Sequence, residues 1–226
     1  MRFVPSAHSD GEYGWTSAFP LSVLTVSSTA KAKGIDNQPY SSAHDANLSR
    51  LSDFMAKLPF DFRVTSGYRS PELNTAIGGS KTSQHPNGLA VDASPLGGKT
   101  NKDVAAWLYA NQASFPELDQ VIWYDDTTHV HIGICPSGAT NCARSSGPRG
   151  EFLNANKEGG VYLPWAPTAE ETVGMALRVA KTRPVQTAGM IWAAGMAASL
   201  TTLGFLLLLD RKIKRKKARK SLKGAP

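Results

Sequence analysis

Alternating apolar and polar positions predict three short β-strands in the middle of the chain. The segments are LAVDAS at 89–94, QVIWY at 120–124 and THVHIGI at 128–134. A fourth short strand is predicted to end at Ser66-Gly67. Side chains alternate between the two faces of a strand, so each segment presents one apolar and one more polar face.

Apolar residues at helical spacing predict two helices beside these strands. The first begins with a capping box formed by Ser42 and Asp45, and it runs to about Leu58. Its buried face comprises Leu48, Leu51, Met55 and Leu58. The second helix is capped by Thr100 or Asn101. Together these elements predict an α+β fold, in which helices flank a small antiparallel sheet.

The composition of the chain changes after the last predicted strand. Residues 136–167 are rich in Gly, Pro, Ser and Asn, which predicts a surface loop. A short amphipathic helix is predicted at 168–181. Cys135 and Cys142 lie where this loop begins. Two interpretations stay open for them, a disulfide-closed loop in an oxidising compartment or two free thiols.

A long uncharged segment runs from Val185 to Leu209. About 20 apolar residues span a bilayer, so this segment predicts a transmembrane helix. The alternative is a buried core helix, although such helices seldom run so far without a charge. The small residues in this segment would let helices approach closely and favour homo-oligomerisation. They are Gly189, Gly195, Ala197, Ser199 and Gly204.

The net charge of +7 comes from the Lys- and Arg-rich tail at 210–226, because the rest of the chain is close to neutral. Basic residues after a membrane span keep that end on the cytoplasmic or interior side, so the body is expected outside. Such a tail also suits anionic lipid headgroups or nucleic acid. Residues 1–15 lack the basic and apolar regions of a signal peptide, which conflicts with an exported body.

The stretch SQHPNGLAVDAS places His85 and Asp92 on either side of a turn. In the last predicted strand, His129 and His131 share a face with Gly133. If the two strands are neighbours, His85, Asp92 and one of the paired histidines converge. Two imidazoles and one carboxylate form a three-ligand zinc set that leaves a position for water. The other histidine is then a candidate general base or acid.

Three parts of the chain resemble the zinc D-Ala-D-Ala carboxypeptidases, in particular the catalytic domain of bacterial and phage cell-wall peptidases. They are GIDNQP at 34–39, VTSGYRSPELNTAIGGSKTSQHPNGLAVDAS at 64–94 and LDQVIWYDDTTHVHIG at 118–133. The resemblance implies a fold like that of the hedgehog and D,D-peptidase domains. It also implies zinc as cofactor and a peptidoglycan stem peptide as substrate.

The resemblance implies a role for each matching residue. His85, Asp92 and His131 match the metal ligands. His129 matches the catalytic histidine. Two further residues match substrate-binding positions. They are Arg69, which holds a substrate carboxylate or stabilises the oxyanion, and Ser83.

One position departs from the family's pattern. Other branches carry a Glu or Asp three residues before the last ligand as the base, and Thr128 stands there in this chain. Asp125 and Asp126 are the nearest carboxylates. We therefore expect His129 to act as the base, with Asp126 as the alternative.

The expected function is zinc-dependent hydrolysis of stem-peptide bonds, by a D,D-carboxypeptidase or an endopeptidase. The alternative is a non-catalytic, zinc-containing wall-binding or structural protein. The location would be a cell envelope or the membrane of a phage particle, where a lytic enzyme needs no signal peptide. The predicted order along the chain is a zinc peptidase domain at 1–135 with its core at 16–134, a loop and amphipathic linker at 136–184, a transmembrane helix at 185–209 and a basic tail at 210–226.

Overall fold

The computed structural model describes residues 19–125, 129–137, 139, 142 and 147–182. The chain divides into two compact units, 1–179 and 180–226. The helices are α1 (Leu21–Thr25), α2 (Ser28–Lys33), α3 (Ser42–Ala56), α4 (Pro71–Ala76), α5 (Asn101–Asn111) and α6 (Ala169–Thr182). The strands are β1 (Phe62–Ser66), β2 (Ala90–Pro95), β3 (Leu118–Tyr124), β4 (Val130–Ile134), β5 (Glu151–Ala155) and β6 (Leu163–Pro164).

The six strands form one sheet in the order β1-β2-β4-β3-β5-β6. The predicted α+β class with flanking helices is therefore confirmed. The prediction of a purely antiparallel sheet is wrong, because β5 pairs with β3 in parallel. Both β5 and β6 lie within 136–167, which was predicted to be loop. Among the residues of β5, Phe152 and Ala155 are buried, which is too short a pattern to stand out from the Gly- and Pro-rich sequence around it.

Capping residues set the helix starts. The Ser41 side chain, rather than that of Ser42, accepts the hydrogen bond that caps α3, so the predicted capping box was placed one residue late. Thr100 caps α5 in a capping box with Asp103, as one of the two predicted options. The short helix α4 was not predicted, although Ser70 caps it and Pro71 occupies its first turn.

Helix α5 packs on β2, β3 and β4, helix α3 contacts α1, and the buried core includes residues of both helices. The apolar positions of β4, Val130, Ile132 and Ile134, are all fully buried, as the alternation predicted. The predicted helical stripe is equally buried, and its residues are Leu48, Leu51, Met55 and Leu58. Burial of side chains of this size stabilises the fold by about 1.5–3 kcal/mol each.

Helix α6 is joined to α5 by charged contacts, and two of its apolar residues are buried. Met175 and Val179 are buried, and Arg178 Nε lies 3.0 Å from Asp103 Oδ1. Within the described residues, no helix is long and apolar enough to cross a membrane. The predicted span at 185–209 and the tail at 210–226 lie outside those residues.

The two cysteines are joined, since Cys135 and Cys142 form a disulfide. The bond closes the loop that follows β4, and the Cys135 N–H donates to the Glu117 carbonyl at 2.7 Å. Of the two interpretations left open by the sequence, the structure has the disulfide-closed loop.

Candidate metal centre and its cleft

Two adjacent central strands bring the candidate ligands together. Asp92 on β2 stands directly opposite His131 on β4 in the antiparallel register. His85 comes from a short 3-10 turn, His85–Asn87, just before β2. In that turn Gly88 adopts a positive φ of 68°, a conformation that glycine accepts without strain. The chain thereby reverses and brings His85 back over the strand that carries Asp92.

The candidate ligand atoms lie close enough together to coordinate one metal ion. His131 Nδ1 is 2.8 Å from Asp92 Oδ1, and His85 Nε2 is 3.3 Å from both His131 Nδ1 and Asp92 Oδ2. One ligand atom from each residue lies within 4.8 Å of the others. Ligand bonds of about 2.0–2.1 Å at tetrahedral angles separate ligand atoms by about 3.3 Å. The donor set and its spacing therefore fit zinc.

The backbone after β1 orients the His85 ring. His85 Nδ1 donates to the Gly67 carbonyl at 2.6 Å, which leaves Nε2 as the ring nitrogen that faces Asp92 and His131. Gly67 tolerates no side chain, because a Cβ there would lie 2.2 Å from the Leu24 carbonyl oxygen. The glycine of the SGYRS motif therefore lets α1 pack against the loop that holds His85.

Arg69 lies against the metal triad. Its Nη2 donates to Asp92 Oδ2 at 2.5 Å, and its Nε donates to Ser66 Oγ at 2.8 Å. Both Arg69 and Asp92 are buried, so the ion pair is formed away from solvent. The Arg69 guanidinium therefore orients the carboxylate of Asp92, which the sequence predicts to be a metal ligand.

Asn37 holds the loop that carries Arg69. Its side chain donates to the carbonyls of Thr25 and Tyr68 and accepts from the Ser70 N–H. One buried amide therefore ties the GIDNQP and SGYRS segments, two of the stretches that carry the family resemblance, into one unit.

Burial and mutual contact set the charge of the triad. Burial lowers the pKa of His85, and the nearby Asp92 carboxylate opposes this without reversing it. For Asp92, burial acts to raise the pKa, but its electrostatic and hydrogen-bond contacts with His85 and His131 prevail and hold the pKa well below its usual range. The set therefore favours a neutral His85 and a charged Asp92, the forms that bind a metal.

His129 and Ser83 line the same cleft as the triad. His129 precedes β4 by one residue, and its ring packs on Tyr124 at 5.1 Å between centroids. The Ser83 hydroxyl accepts from the His85 N–H at 3.3 Å, so it also holds the turn that carries His85. Asp126, the alternative base, lies outside the described residues, and so does Thr128.

A second buried ion pair was missed by the sequence reasoning. Asp119 on β3 is fully buried, and Arg149 donates to it through Nε at 2.9 Å and Nη2 at 2.6 Å. Arg149 Nη2 also donates to Gln84 Oε1 at 3.2 Å. A carboxylate inside the apolar strand LDQVIWY was a signal that a buried cation had to pair with it.

Gln84 explains the glycine of the HVHIG segment. The Gln84 Nε2 donates to the Ile134 carbonyl at 3.3 Å, and a Cβ on Gly133 would lie 2.1 Å from Gln84 Oε1. The room left by Gly133 is therefore occupied by the amide of Gln84. Through this contact the Arg149–Asp119 pair supports the residue next to His85.

The predicted metal and substrate residues meet in one cleft of about 1090 Å³. Besides Asp92, five of its polar lining residues come from the sequence prediction. They are Arg69, Ser83, His85, His129 and His131. The cleft volume is slightly above the range of about 300–1,000 Å³ for small-molecule pockets, which suits an extended substrate.

Comparison with known proteins agrees with the resemblance seen in the sequence. The model of the family described as Peptidase M15 matches residues 17–133, just over half of the chain. That range contains the described elements from α1 to β3, all of β4 except its last residue, and the whole candidate triad. No curated protein matches the chain. The chain therefore belongs to the Peptidase M15 family, which is of the zinc D-Ala-D-Ala carboxypeptidase type.

Proposed function

We propose that this protein is a zinc-dependent peptidoglycan peptidase that hydrolyses stem-peptide bonds, as a D,D-carboxypeptidase or an endopeptidase. The observation that carries the proposal is the convergence of His85, Asp92 and His131, whose ligand atoms lie within 4.8 Å of one another. Membership of the Peptidase M15 family supports the same chemistry.

The three ligands would hold zinc and leave a coordination position open. Bound there, zinc supplies a Lewis acid for the scissile carbonyl and makes hydroxide available near neutral pH. His85 and His131 would bind through Nε2 and Nδ1, the atoms that face Asp92. The Gly67 carbonyl and the Arg69 guanidinium keep His85 and Asp92 oriented.

His129 is the proposed proton carrier, and Asp126 is the alternative. His129 lines the cleft two residues from His131, and Tyr124 packs on its ring. In this role the imidazole takes a proton during attack and delivers it to the leaving amine. The charge of Arg69, next to the triad, stabilises the negative charge that develops on the carbonyl oxygen.

Hydrolysis of purified peptidoglycan tests the proposal. The zinc-loaded full chain should release new amino groups, and His131→Ala should lose both zinc and this activity. His129→Ala should keep zinc and lose most of the activity. If the zinc-loaded wild-type protein binds peptidoglycan but releases no amine, it is a non-catalytic wall-binding protein and the proposal is wrong.

The proposal includes a location at a membrane. The uncharged segment 185–209 would anchor the chain as a single span, with the tail 210–226 on the cytoplasmic or interior side. The Cys135–Cys142 disulfide supports an oxidising environment for the body. The setting would be a bacterial cell envelope or the membrane of a lipid-containing phage particle. Digestion of the tail by a protease added outside sealed membranes would contradict this orientation.

A further inference from the structure

The floor of the cleft is one row of residues that crosses five strands. Each member is paired with the next in the sheet register, and all of them line the cleft. In order from β1 to β5 they are Ser66, Asp92, His131, Ile122 and Leu153. Neighbouring strands lie about 4.8 Å apart, so the row extends over about 19 Å. An extended peptide advances about 3.3 Å per residue, so about six residues fit along it.

The metal triad is not at the end of this row. The floor continues for two strands beyond His131, on β3 and β5, which is about 10 Å or three residues of extended chain. This part of the floor is apolar, since Ile122 and Leu153 belong to one hydrophobic cluster with Tyr124 and Ala155. Leu153 is the partly exposed member of this cluster, and Ile122 and Tyr124 line the cleft beside it, so the row is apolar here, in contrast to the polar triad.

The hairpin between β5 and β6 forms a wall above this apolar floor. Tyr162 packs edge-on against Tyr124, with ring centroids 6.4 Å apart. The Tyr162 hydroxyl accepts from the Gly159 N–H at 3.0 Å, which fixes the ring within its own hairpin. Glu158, Gly159 and Tyr162 all line the cleft. This hairpin lies beyond residue 133, outside the range that matches the family model.

The cleft also extends past the triad in the opposite direction. There its lining includes β1 and helices α1 and α2, with the hydroxyl groups of Ser22, Ser27, Ser28 and Thr29. The lining therefore lies on both sides of the candidate metal ligands. A substrate that fills such a cleft has chain on both sides of its scissile bond.

We infer that the part of the cleft formed by Ile122, Leu153 and Tyr162 is a subsite for about three residues of substrate peptide with small apolar or methylene-rich side chains, and that the bond cleaved is internal. The inference rests on the proposed peptidase function for the position of the cut. A substrate peptide is the expected occupant, because the apolar part of the floor continues from the triad along the same cross-strand row. An enzyme of this kind is an endopeptidase.

The test uses the full chain and overlapping six-residue peptides that cover the stem and cross-bridge of peptidoglycan, each also trimmed by one residue at a time from either end. Binding is measured by calorimetry on metal-free protein, where the peptide stays intact. The best six-residue peptide should bind about tenfold more tightly than its version trimmed on the subsite side. In zinc-loaded protein, mass spectrometry should show cleavage at an internal bond of the same peptide.

A pair of variants on the same hairpin locates the effect. Tyr162→Ala should weaken binding of the six-residue peptide about tenfold and leave the trimmed peptide unchanged. Val161→Ala is the matched control. Val161 is adjacent in the same hairpin and is 73% exposed, whereas Tyr162 lines the cleft. The control should bind both peptides as the wild type does.

Three results would overturn the inference. They are release of a single terminal residue as the only product, equal binding of full and trimmed peptides, and an equal loss for both peptides in Tyr162→Ala. Length-dependent binding without any hydrolysis would instead overturn the peptidase function and leave the subsite. Hydrolysis without length dependence would overturn the subsite and leave the peptidase function.

Discussion

Arg69 and Asp92 form a buried ion pair in which Nη2 lies 2.5 Å from Oδ2. The other carboxylate oxygen of Asp92 faces His131. One carboxylate is therefore shared between a fixed cation and the candidate metal position. Groups in this relation to a metal ligand tune its orientation, and their loss typically lowers metal affinity or activity by 10–100-fold, as a general range.

We predict that Arg69→Gln lowers zinc affinity by about tenfold, because the Asp92 carboxylate loses the charge that orients it. The measurement is competition for zinc with a chelator of known affinity. Arg63→Gln is the control, since Arg63 lies on β1 and is exposed. Equal zinc affinity in the wild type and Arg69→Gln would show that Arg69 does not position the ligand.

Removal of a ligand should remove the metal. We predict that Asp92→Ala and His131→Ala each purify without bound zinc, because two remaining ligands hold it too weakly. Metal content by mass spectrometry checks this. His44→Ala is the control, because His44 packs between Tyr40 and Tyr68 rather than in the triad. Retention of one zinc per chain in both ligand variants would place the metal site elsewhere.

Gly133→Ala should destabilise the protein by about 1–3 kcal/mol, because the new methyl group would displace the Gln84 amide from its partners Arg149 and Ile134. Chemical denaturation measures the change in the free energy of unfolding. In a Gln84→Ala background, Gly133→Ala should cost less stability than it does in the wild type, because the amide that the methyl group would meet is absent. Strict additivity of the two changes would contradict the proposed steric contact.

The disulfide should stabilise the fold after β4. We predict that Cys135→Ser/Cys142→Ser lowers the free energy of unfolding by about 2 kcal/mol, the value for a short loop in the chain-entropy account. Addition of a reductant should lower the Tm of the wild type and leave that of the double variant unchanged. A reductant effect of the same size on both proteins would point to a cause other than the Cys135–Cys142 bond.

Acid should weaken the contact between α5 and α6. Burial acts to raise the pKa of Asp103, but the hydrogen bonds from Arg178 and Thr100 prevail, so the folded-state pKa lies below the ordinary value. Its contribution to stability is therefore present above the unfolded-state pKa of about 3.9 and is lost as the pH falls through the lower folded-state pKa.

We accordingly predict that Asp103→Asn costs about 1–2 kcal/mol at pH 7, through the weaker helix cap and the lost ion pair. The cost should shrink as the pH is lowered from 5 to about 2.5, because the wild-type carboxylate becomes protonated. Urea denaturation at several pH values measures this. Asp53→Asn, at an exposed position of α3, is the control for removal of an acidic charge from a helix.

The sequence was most informative where alternation along a strand was clear. The period of two in THVHIGI assigned Val130 and Ile132 to the core face and His131 to the opposite face, and in the structure Val130 and Ile132 are fully buried while His131 lines the cleft. It was least informative for β5, where the partner strand is supplied by β3 and the segment has little apolar pattern of its own. Arg149 could not be matched with Asp119 for the same reason, since the two are 30 positions apart and meet only through that pairing.

Capping residues show a finer limit. Ser41 and Ser42 are adjacent and chemically equal as caps, and the choice of Ser41 depends on its contacts with the His44 backbone and ring. Such contacts depend on where the chain enters the helix, which tertiary packing sets.

The pairing of Asp92 with His131 ties metal binding to correct strand alignment. If β4 shifted by one position against β2, Val130 or Ile132 would stand opposite the carboxylate and an imidazole would enter the core. Molecules with this misalignment would therefore lose both the native core packing and the metal site. If the triad holds zinc as proposed, the zinc content of a preparation would report the fraction of chains that have reached the native strand alignment, independently of any catalytic assay.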